Sequence, residues 1–358
     1  MRRRFLLALA IYTLAHVYIW WRLALPMPSP AWQVATVALP LLGASFPLAM
    51  RHARHLPREI ARRRLLFGYI WFGFATYFLL GAIASHIAVA FGMGVQRAAQ
   101  LGAGASIAVV VGGLLNVARG PVARRTQIPI ARLPVDRYSI VQLTDVHIGN
   151  TIGREFAEVL VQRVNELRPD LIVITGDLVD GRLSELRPHI EPLRGLRARD
   201  GVYAVTGNHE YYWNVEPWLL HLQSLGIKLL RNEHVTIGAT FELAGVDDVT
   251  AHEDVDAAVA GRDPGLPLVL LAHHPRTITR AMAAGVDLQL SGHTHGGQML
   301  PWGWLARLWD PKVSGLKRFG RSWLYVSDGT GYWGPPLRVG TRCEISAITL
   351  VPEAGGTL

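Results

Sequence analysis

The chain contains a series of residues whose types and order suit metal binding and phosphoryl chemistry. Asp145 and His147 form an Asp-x-His pair, Asp177 follows Gly176, and Asn208, His209 and Glu210 sit in a GNHE tetrapeptide. Further on come His273-His274-Pro275 and the segment SGHTHGGQ (291–298), which carries His293 and His295. The candidate ligands are Asp145, His147, Asp177, Asn208, His273, His293 and His295: two carboxylates, one amide oxygen and four imidazoles. Such a mixed set suits manganese, iron, zinc or cobalt better than calcium or magnesium. Seven ligands exceed the need of one tetrahedral ion and fit two divalent ions sharing a carboxylate. Ions about 3.5–4 Å apart lower the pKa of a shared water and clamp the oxygens of a phosphoryl group. The departing oxygen then needs a proton, and His209, beside Asn208, is the candidate donor. Asp180 and Glu210 are candidates to orient ligands, or else solvated loop acids. A single cysteine, Cys343, excludes a disulfide framework and a cysteine-built zinc site.

The elements that must position these residues are visible around them. YSIVQLT (138–144), LIVIT (171–175), VYAVT (202–206), LPLVLLA (266–272) and VDLQLS (286–291) are short apolar runs, and each leads directly into one of the ligand groups. WLYVS (323–327) is a sixth run, ending at Asp328-Gly329. Between the first two, residues 154–170 place apolar side chains at 156, 159, 160, 164 and 167, the spacing of an amphipathic helix stopped by Pro169. Buried strands alternating with helices indicate an α/β domain whose site lies beyond the carboxyl ends of its strands. An Asp-x-His or a Gly-Asp arises often by chance. All five groups in this order, each after a strand-like run, form a specific signal.

That series resembles the calcineurin-like metallophosphoesterase superfamily over about residues 137–352. SGHTHGGQ, with DGTGYWGPPLRVGTRCEISAITL (328–350), further resembles its bacterial YkuE/YaeI-like branch, which includes membrane-anchored members. The resemblance implies an α/β fold, a four-layer αββα sandwich, with a binuclear metal centre. It implies Asp145, His147 and His295 on one metal, Asn208, His273 and His293 on the other, and Asp177 bridging both. His209 would be the general acid or transition-state stabiliser, and the His-x-Pro spacing selects His273, leaving His274 as its supporting neighbour. Purple acid phosphatases carry a tyrosine where this chain has Asp180, so no purple chromophore is expected.

The N-terminal third has different chemistry. Four apolar stretches, about 5–21, 31–50, 65–91 and 99–118, lack Asp, Glu, Lys and Arg and read as transmembrane helices of an all-α region over 1–120. A basic linker (121–136), the catalytic domain (137–352) and a tail (353–358) follow. Thirteen arginines fall in segments 2–4, 51–64 and 119–132, whereas the other two connections hold only Arg22 and Arg97. The positive-inside rule then puts those three segments, and the catalytic domain, in the cytoplasm, with the protein multi-pass in a bacterial inner membrane. Arg2–Leu6 also matches the start of an export signal, though no cleavage site follows. Gly104, Ala108 and Gly112 are expected to pack within the bundle, with a dimer seam as the alternative, and His16 and His86 to be structural.

Charge divides the same way. Residues 1–132 hold fifteen Arg, no Lys and one acid, Glu59, a net +14; residues 133–358 carry net −5. The overall +9 is therefore not a nucleic-acid footprint, and the acidic catalytic region disfavours that partner. Asp247, Asp248, Glu253, Asp254 and Asp256 read as a solvated acidic surface. Trp302, Trp304, Leu305, Leu308 and Trp309, directly after the GHTH motif, read as either a lipid-contacting lip or ordinary loop packing. The expected activity is hydrolysis of a phosphodiester or pyrophosphate, with membrane lipids and a lipid-linked phosphoester as partners. The resemblance points to UDP-2,3-diacylglucosamine or a phospholipid. The alternatives are a tethered phosphodiesterase for soluble nucleotides and a membrane sensor with a regulatory metal domain. The sequence does not specify oligomeric state.

Overall fold

The computed structural model describes residues 2–353. Residues 354–358 of the expected tail, and the side chains of residues 2–5, 54, 309 and 311, lie outside the described set. Two compact units are present: Met1–Ala118 with Gly334–Val339, and Arg119–Trp333 with Gly340–Leu358.

The first unit is built on α1 (Arg2–Ile19), α2 (Ala31–His52), α3 (Arg58–Ala90) and α4 (Val95–Ala118). Four helical runs, Leu6–Ala24, Ala31–His52, Arg58–Ala90 and Val95–Ala118, are long and apolar enough to cross a membrane. They expose Leu14, Val37, Leu41, Leu101 and Leu115, as helices in lipid do. The α3 helix starts at Arg58, because the basic segment before the apolar stretch is itself helical. After α1 the chain does not break at Trp21 but continues through a wide turn, Trp20–Ala24, in which the Leu25 N–H bonds the Trp20 carbonyl at 2.9 Å. Arg22, assigned to a connection by sequence, therefore lies inside the helical run and is buried.

Close packing of α3 on α4 runs through Gly81 and Gly102. A Cβ on either would lie 2.6 Å from the other's carbonyl oxygen, so only glycine fits. Ser106 donates to the carbonyls of Gly102 and Tyr77. The expected Gly104, Ala108 and Gly112 row instead faces outward, with open space at both glycines. The row begins two residues from Gly102, which is about 200° around a helix, so it lies on the opposite side. His16 is buried and accepts from Trp71 Nε1, while the His86 ring lies 3.1 Å from the Tyr18 hydroxyl.

The second unit is two six-stranded sheets. Across the first run β1 (Val122–Ile130), β14 (Glu344–Pro352), β2 (Tyr138–Leu143), β4 (Leu171–Thr175), β6 (Val202–Val205) and β7 (Ile227–Leu229). Across the second run β12 (Gly315–Phe319), β13 (Ser322–Val326), β11 (Leu288–Ser291), β10 (Leu268–Leu271), β9 (Phe241–Gly245) and β8 (Glu233–Ile237). A two-stranded ribbon pairs β3 (Ile148–Gly149) with β5 (Val179–Asp180). The central strands are parallel, which aligns their carboxyl ends. Ile140, Val173 and Ile348 of the first sheet share a buried core with Phe241, Val269 and Leu290 of the second, so the sheets pack face to face. On the outer face of the second sheet, Leu268, Leu270 and Leu324 pack against α9 (Val255–Val259) and α10 (Ile278–Ala283), placed by Val255, Ala258, Ile278 and Ala281. On the other side α5 (Arg154–Glu166) buries Ala157, Leu160 and Val164, followed by α6 (Leu183–Ile190), α7 (Asn208–Tyr212) and α8 (Val215–Ser224). This is the helix–sheet–sheet–helix sandwich.

Residues 122–130, read from sequence as linker, form β1. They pair in parallel with the last strand from Val122↔Glu344 to Ile130↔Pro352. Their run of Arg124-Arg125-Thr126-Gln127 hides the strand, because its outer half is exposed at the sheet edge.

Candidate metal centre

All the candidate ligands lie just beyond strand ends at one edge of the sandwich. Asp145 and His147 follow β2, Asp177 follows β4, Asn208 follows β6, His273 follows β10, and His293 and His295 follow β11. Each chain reverses sharply there. Asp145, His147, Asp177, His293 and His295 all have left-handed backbone, with φ between +51° and +69°. Side chains with a Cβ resist that conformation, and such strain concentrates at functional sites.

Three groups of ligand atoms converge, each within 4.8 Å: Asp145, His147 and His295; Asp177, His273 and His293; and His147, Asp177 and His209. Asp177 belongs to two of the groups, and so does His147. Nε2 of His147 lies 3.1 Å from Nε2 of His295, and Nδ1 of His293 lies 3.2 Å from Nε2 of His273. Asp177 Oδ2 is 3.2 Å from His273 Nε2 and 3.9 Å from Nε2 of both His147 and His209.

These contacts fit a cation. His273 Nδ1 lies 2.8 Å from the Thr175 carbonyl, which can only accept, so Nδ1 carries the proton. In neutral His273 the other nitrogen then points a lone pair at a carboxylate and a second imidazole. Positive charge must sit between them, as a proton or a metal ion. Asn208 Oδ1 and His147 Nδ1 are buried without a hydrogen-bond partner among the described residues, and an amide oxygen left so is costly unless something coordinates it. The electrostatics of the site point the same way. Burial pushes Asp145 up to about 6, against the pull of His273, and His147 down to about 4. Burial opposes the charges of Asp177 and His273, but their mutual attraction outweighs it, holding Asp177 well below the carboxylate range and raising His273 to about 10. Burial, with the charge at His273, takes His293 down to about 3. The donor set demands cationic charge at its centre.

The comparisons with known proteins agree with this chemistry. A family model described as calcineurin-like phosphoesterase matches residues 138–297. The chain is 35% identical over 221 residues to a metallophosphoesterase of Aquifex aeolicus, covering 59% of this chain and 84% of that protein. It is 32% identical over 227 residues to the metallophosphoesterase YkuE of Bacillus subtilis, covering 60% and 79%. This chain belongs to the calcineurin-like metallophosphoesterase family. It is also 42% identical over 261 residues to a Bos taurus protein named "Transmembrane protein with metallophosphoesterase domain", covering 66% of this chain and 59% of that one. The chain thus spans about 59% of that relative's length. The relative's name and the four apolar helices together make this a membrane metallophosphoesterase.

Within the metallophosphoesterase domain, Glu210 is fully built into the support of the site. Its Oε1 accepts from the N–H groups of Leu178 and Val179, and its Oε2 from those of Asp177 and Gly207. One side chain thereby ties the Asp177 turn to the Asn208 turn. Burial, reinforced by Asp177, raises its carboxyl to about 7. Asp180 Oδ1 takes His209 Nδ1 at 3.2 Å and Trp213 Nε1 at 2.9 Å. The His274 ring lies 3.7 Å from that of His293, with its Nε2 3.4 Å from Asp248 Oδ2.

Asp247 and Asp248, expected on a solvated surface, are instead buried at the end of β9. Arg231 pairs with Asp247, and the Asp248 N–H bonds Thr206. Glu253 bonds Thr277 and Arg280, Asp254 caps α9, and Asp256 is exposed. Trp213, Tyr212 and the Thr175 carbonyl were missed by sequence reasoning. The aromatic run Tyr211-Tyr212-Trp213 directly after GNHE was the available signal for two of them. The Tyr212 and Trp333 rings lie 5.2 and 6.3 Å from that of His209, and both are exposed.

The Trp-rich segment forms α11 (Trp302–Trp309). Amphipathic helices normally bury their apolar face. This one packs through Gly303, where a Cβ would lie 2.6 Å from the Gly296 carbonyl oxygen, one residue from His295. Trp302, Trp304, Leu305 and Leu308 point to solvent, with Trp304 58% and Leu308 66% exposed. The Trp309 side chain is outside the described residues.

Proposed function

We propose that this chain is a membrane-anchored, metal-dependent phosphohydrolase that cleaves a phosphodiester or pyrophosphate bond in a lipid-linked substrate. The observation that carries the reading is His273, whose Nδ1 is committed to the Thr175 carbonyl while Nε2 faces Asp177 and His293. Two divalent ions, drawn from Mn, Fe, Zn and Co, fit this donor set. Asp145, His147 and His295 would hold one, Asn208, His273 and His293 the other, with Asp177 shared. Bound there, the ions supply an activated water and positive charge for the phosphoryl oxygens.

The chain's own residues do the rest. Asp180 fixes His209 through Nδ1, leaving Nε2 to carry a proton to the leaving oxygen. The Tyr212 and Trp333 rings border His209. Glu210 holds the turns of Asp177 and Asn208 in register. A lipid-linked substrate is supported by the outward Trp and Leu face of α11 beside His295, since tryptophan favours the lipid interface. UDP-2,3-diacylglucosamine and phospholipids are the leading substrate classes. Thirteen arginines against two support a catalytic domain on the cytoplasmic side of a bacterial inner membrane.

Purified full-length protein with Mn²⁺ should hydrolyse bis(p-nitrophenyl) phosphate; Asp177→Ala should lose that activity and His209→Ala should reduce it. Unchanged rates would refute the catalytic reading. Acylated substrate should turn over faster than its deacylated counterpart. Equal efficiency would move the substrate to soluble nucleotides. A C-terminal reporter fusion reads orientation, and an extracytoplasmic signal would reverse it.

A further inference from the structure

We propose that the helical unit holds a second, non-catalytic site, in which Arg22 binds a phosphate-bearing anion. The inference goes beyond the phosphohydrolase reading and stands without it. Arg22 is 7% exposed, and its Nε and Nη2 are both buried with no hydrogen-bond partner among the described residues. A guanidinium cannot escape this by losing its proton. Burying an unpaired charge in apolar surroundings is costly.

No counter-charge is available inside the unit. The only acidic residue among the first 118, and in 334–339, is Glu59. It pairs with Arg58 at the start of α3, at the opposite end of that helix from His86. The 27 residue steps from Glu59 to His86 span about 40 Å at 1.5 Å each. His86 marks the Arg22 end, because its ring lies 5.9 Å from that of Trp21, over which the Arg22 guanidinium carbon sits at 5.4 Å. The compensating anion must therefore come from outside.

The surroundings suit a phosphate. The guanidinium fork matches two oxygens of one phosphate group. The wide turn Trp20–Ala24 that turns Arg22 inward is a local departure from α-helix of the kind found at functional sites. Ser85, the chain neighbour of His86, is 2% exposed, and its hydroxyl also lacks a partner among the described residues. Trp21 is 48% exposed, as a ring at a headgroup boundary would be. A lipid headgroup phosphate and free inorganic phosphate share the required chemistry.

The test uses full-length protein in maltoside detergent, stripped of metal by chelation so that the catalytic cluster does not compete for phosphate. Binding of phosphatidylglycerol, of diacylglycerol with the same acyl chains, and of inorganic phosphate is measured by native mass spectrometry. Wild type should bind phosphatidylglycerol well above diacylglycerol. Arg22→Gln should weaken that binding about tenfold or more, the scale of a hydrogen bond to a charged group. Arg22→Lys should retain part of it. Arg22-dependent binding of inorganic phosphate would make free phosphate the ligand; dependence with phosphatidylglycerol alone would make it the lipid. Equal binding by wild type and Arg22→Gln overturns the proposal. Should Arg22→Gln not fold, wild type binding diacylglycerol as well as phosphatidylglycerol, with no inorganic phosphate bound, overturns it equally.

Discussion

His209 Nδ1 lies 3.2 Å from Asp180 Oδ1, and the same oxygen accepts from Trp213 Nε1. The carboxylate fixes which ring nitrogen of His209 is committed, and the tryptophan fixes the carboxylate. Burial works against the charged ring, but the Asp180 bond and the charges of Asp177 and Asp180 outweigh it, so the His209 pKa is raised from its ordinary value.

If His209 donates the proton to the leaving oxygen, its loss should matter most for poor leaving groups. His209→Ala should lower kcat by about 10²–10⁴ on an alkyl phosphodiester and by less on a nitrophenyl ester, which departs without help. Asp180→Asn should lower kcat with little change in KM and with metal content intact. Steady-state kinetics on both substrates, with metal analysis, checks this. An equal penalty for both leaving groups would refute the proton-donor role.

Chelation gives a second prediction. The paired imidazoles, His147 with His295 and His273 with His293, bring nitrogens to within 3.1–3.2 Å. Removing the ions leaves those lone pairs opposed, and a ligand that binds only the folded state stabilises it by mass action. EDTA-treated protein should lose activity and melt at lower temperature, and added Mn²⁺ should restore both. A melting temperature indifferent to chelator and Mn²⁺ would count against a metal in this cluster.

Glu210 supplies a stability prediction. Both of its oxygens accept from two backbone N–H groups. Glutamine keeps one acceptor oxygen and turns an NH₂ toward the other two donors. Glu210→Gln should therefore cost about 1–3 kcal/mol, the penalty for leaving buried donors unpaired, and should also disturb Asp177. Thermal or denaturant unfolding measures it; a variant as stable as wild type would exclude this role.

The limits of the sequence are physical. The strands feeding the site were legible because each is a nearly continuous apolar run, as strands buried on both faces must be. LIVIT (171–175) matches β4 residue for residue. Edge elements were not legible. β1 is half exposed and arginine-rich, and β12 is mostly half-buried, so neither has an apolar run to reveal it. Asp248 resembles any loop acid in sequence, and only the fold brings it against His274. The choice between the Gly102 and Gly104 rows of α4 rests on which side of the helix meets α3, and composition does not encode that.

Acid stability gives the last prediction, well away from the metal cluster. Asp200 receives the Tyr138 hydroxyl and two hydrogen bonds from Arg199, and Arg199 also pairs with Asp170 at 2.8 Å. Burial pushes the Asp200 carboxyl up, but the Arg199 and Tyr138 bonds outweigh it, so its folded pKa lies below the unfolded value. The unfolded chain then binds the proton more readily. The stabilisation is present above the unfolded value of about 3.9 and is lost as pH falls through the folded value. Asp200→Asn should lower the melting temperature at neutral pH, and the gap to wild type should close as pH drops below about 4. Melting curves of both proteins across that range check the sign: a gap that widens in acid would mean that Asp200 is stabilised in its protonated form, and that the Arg199 and Tyr138 bonds do not govern it.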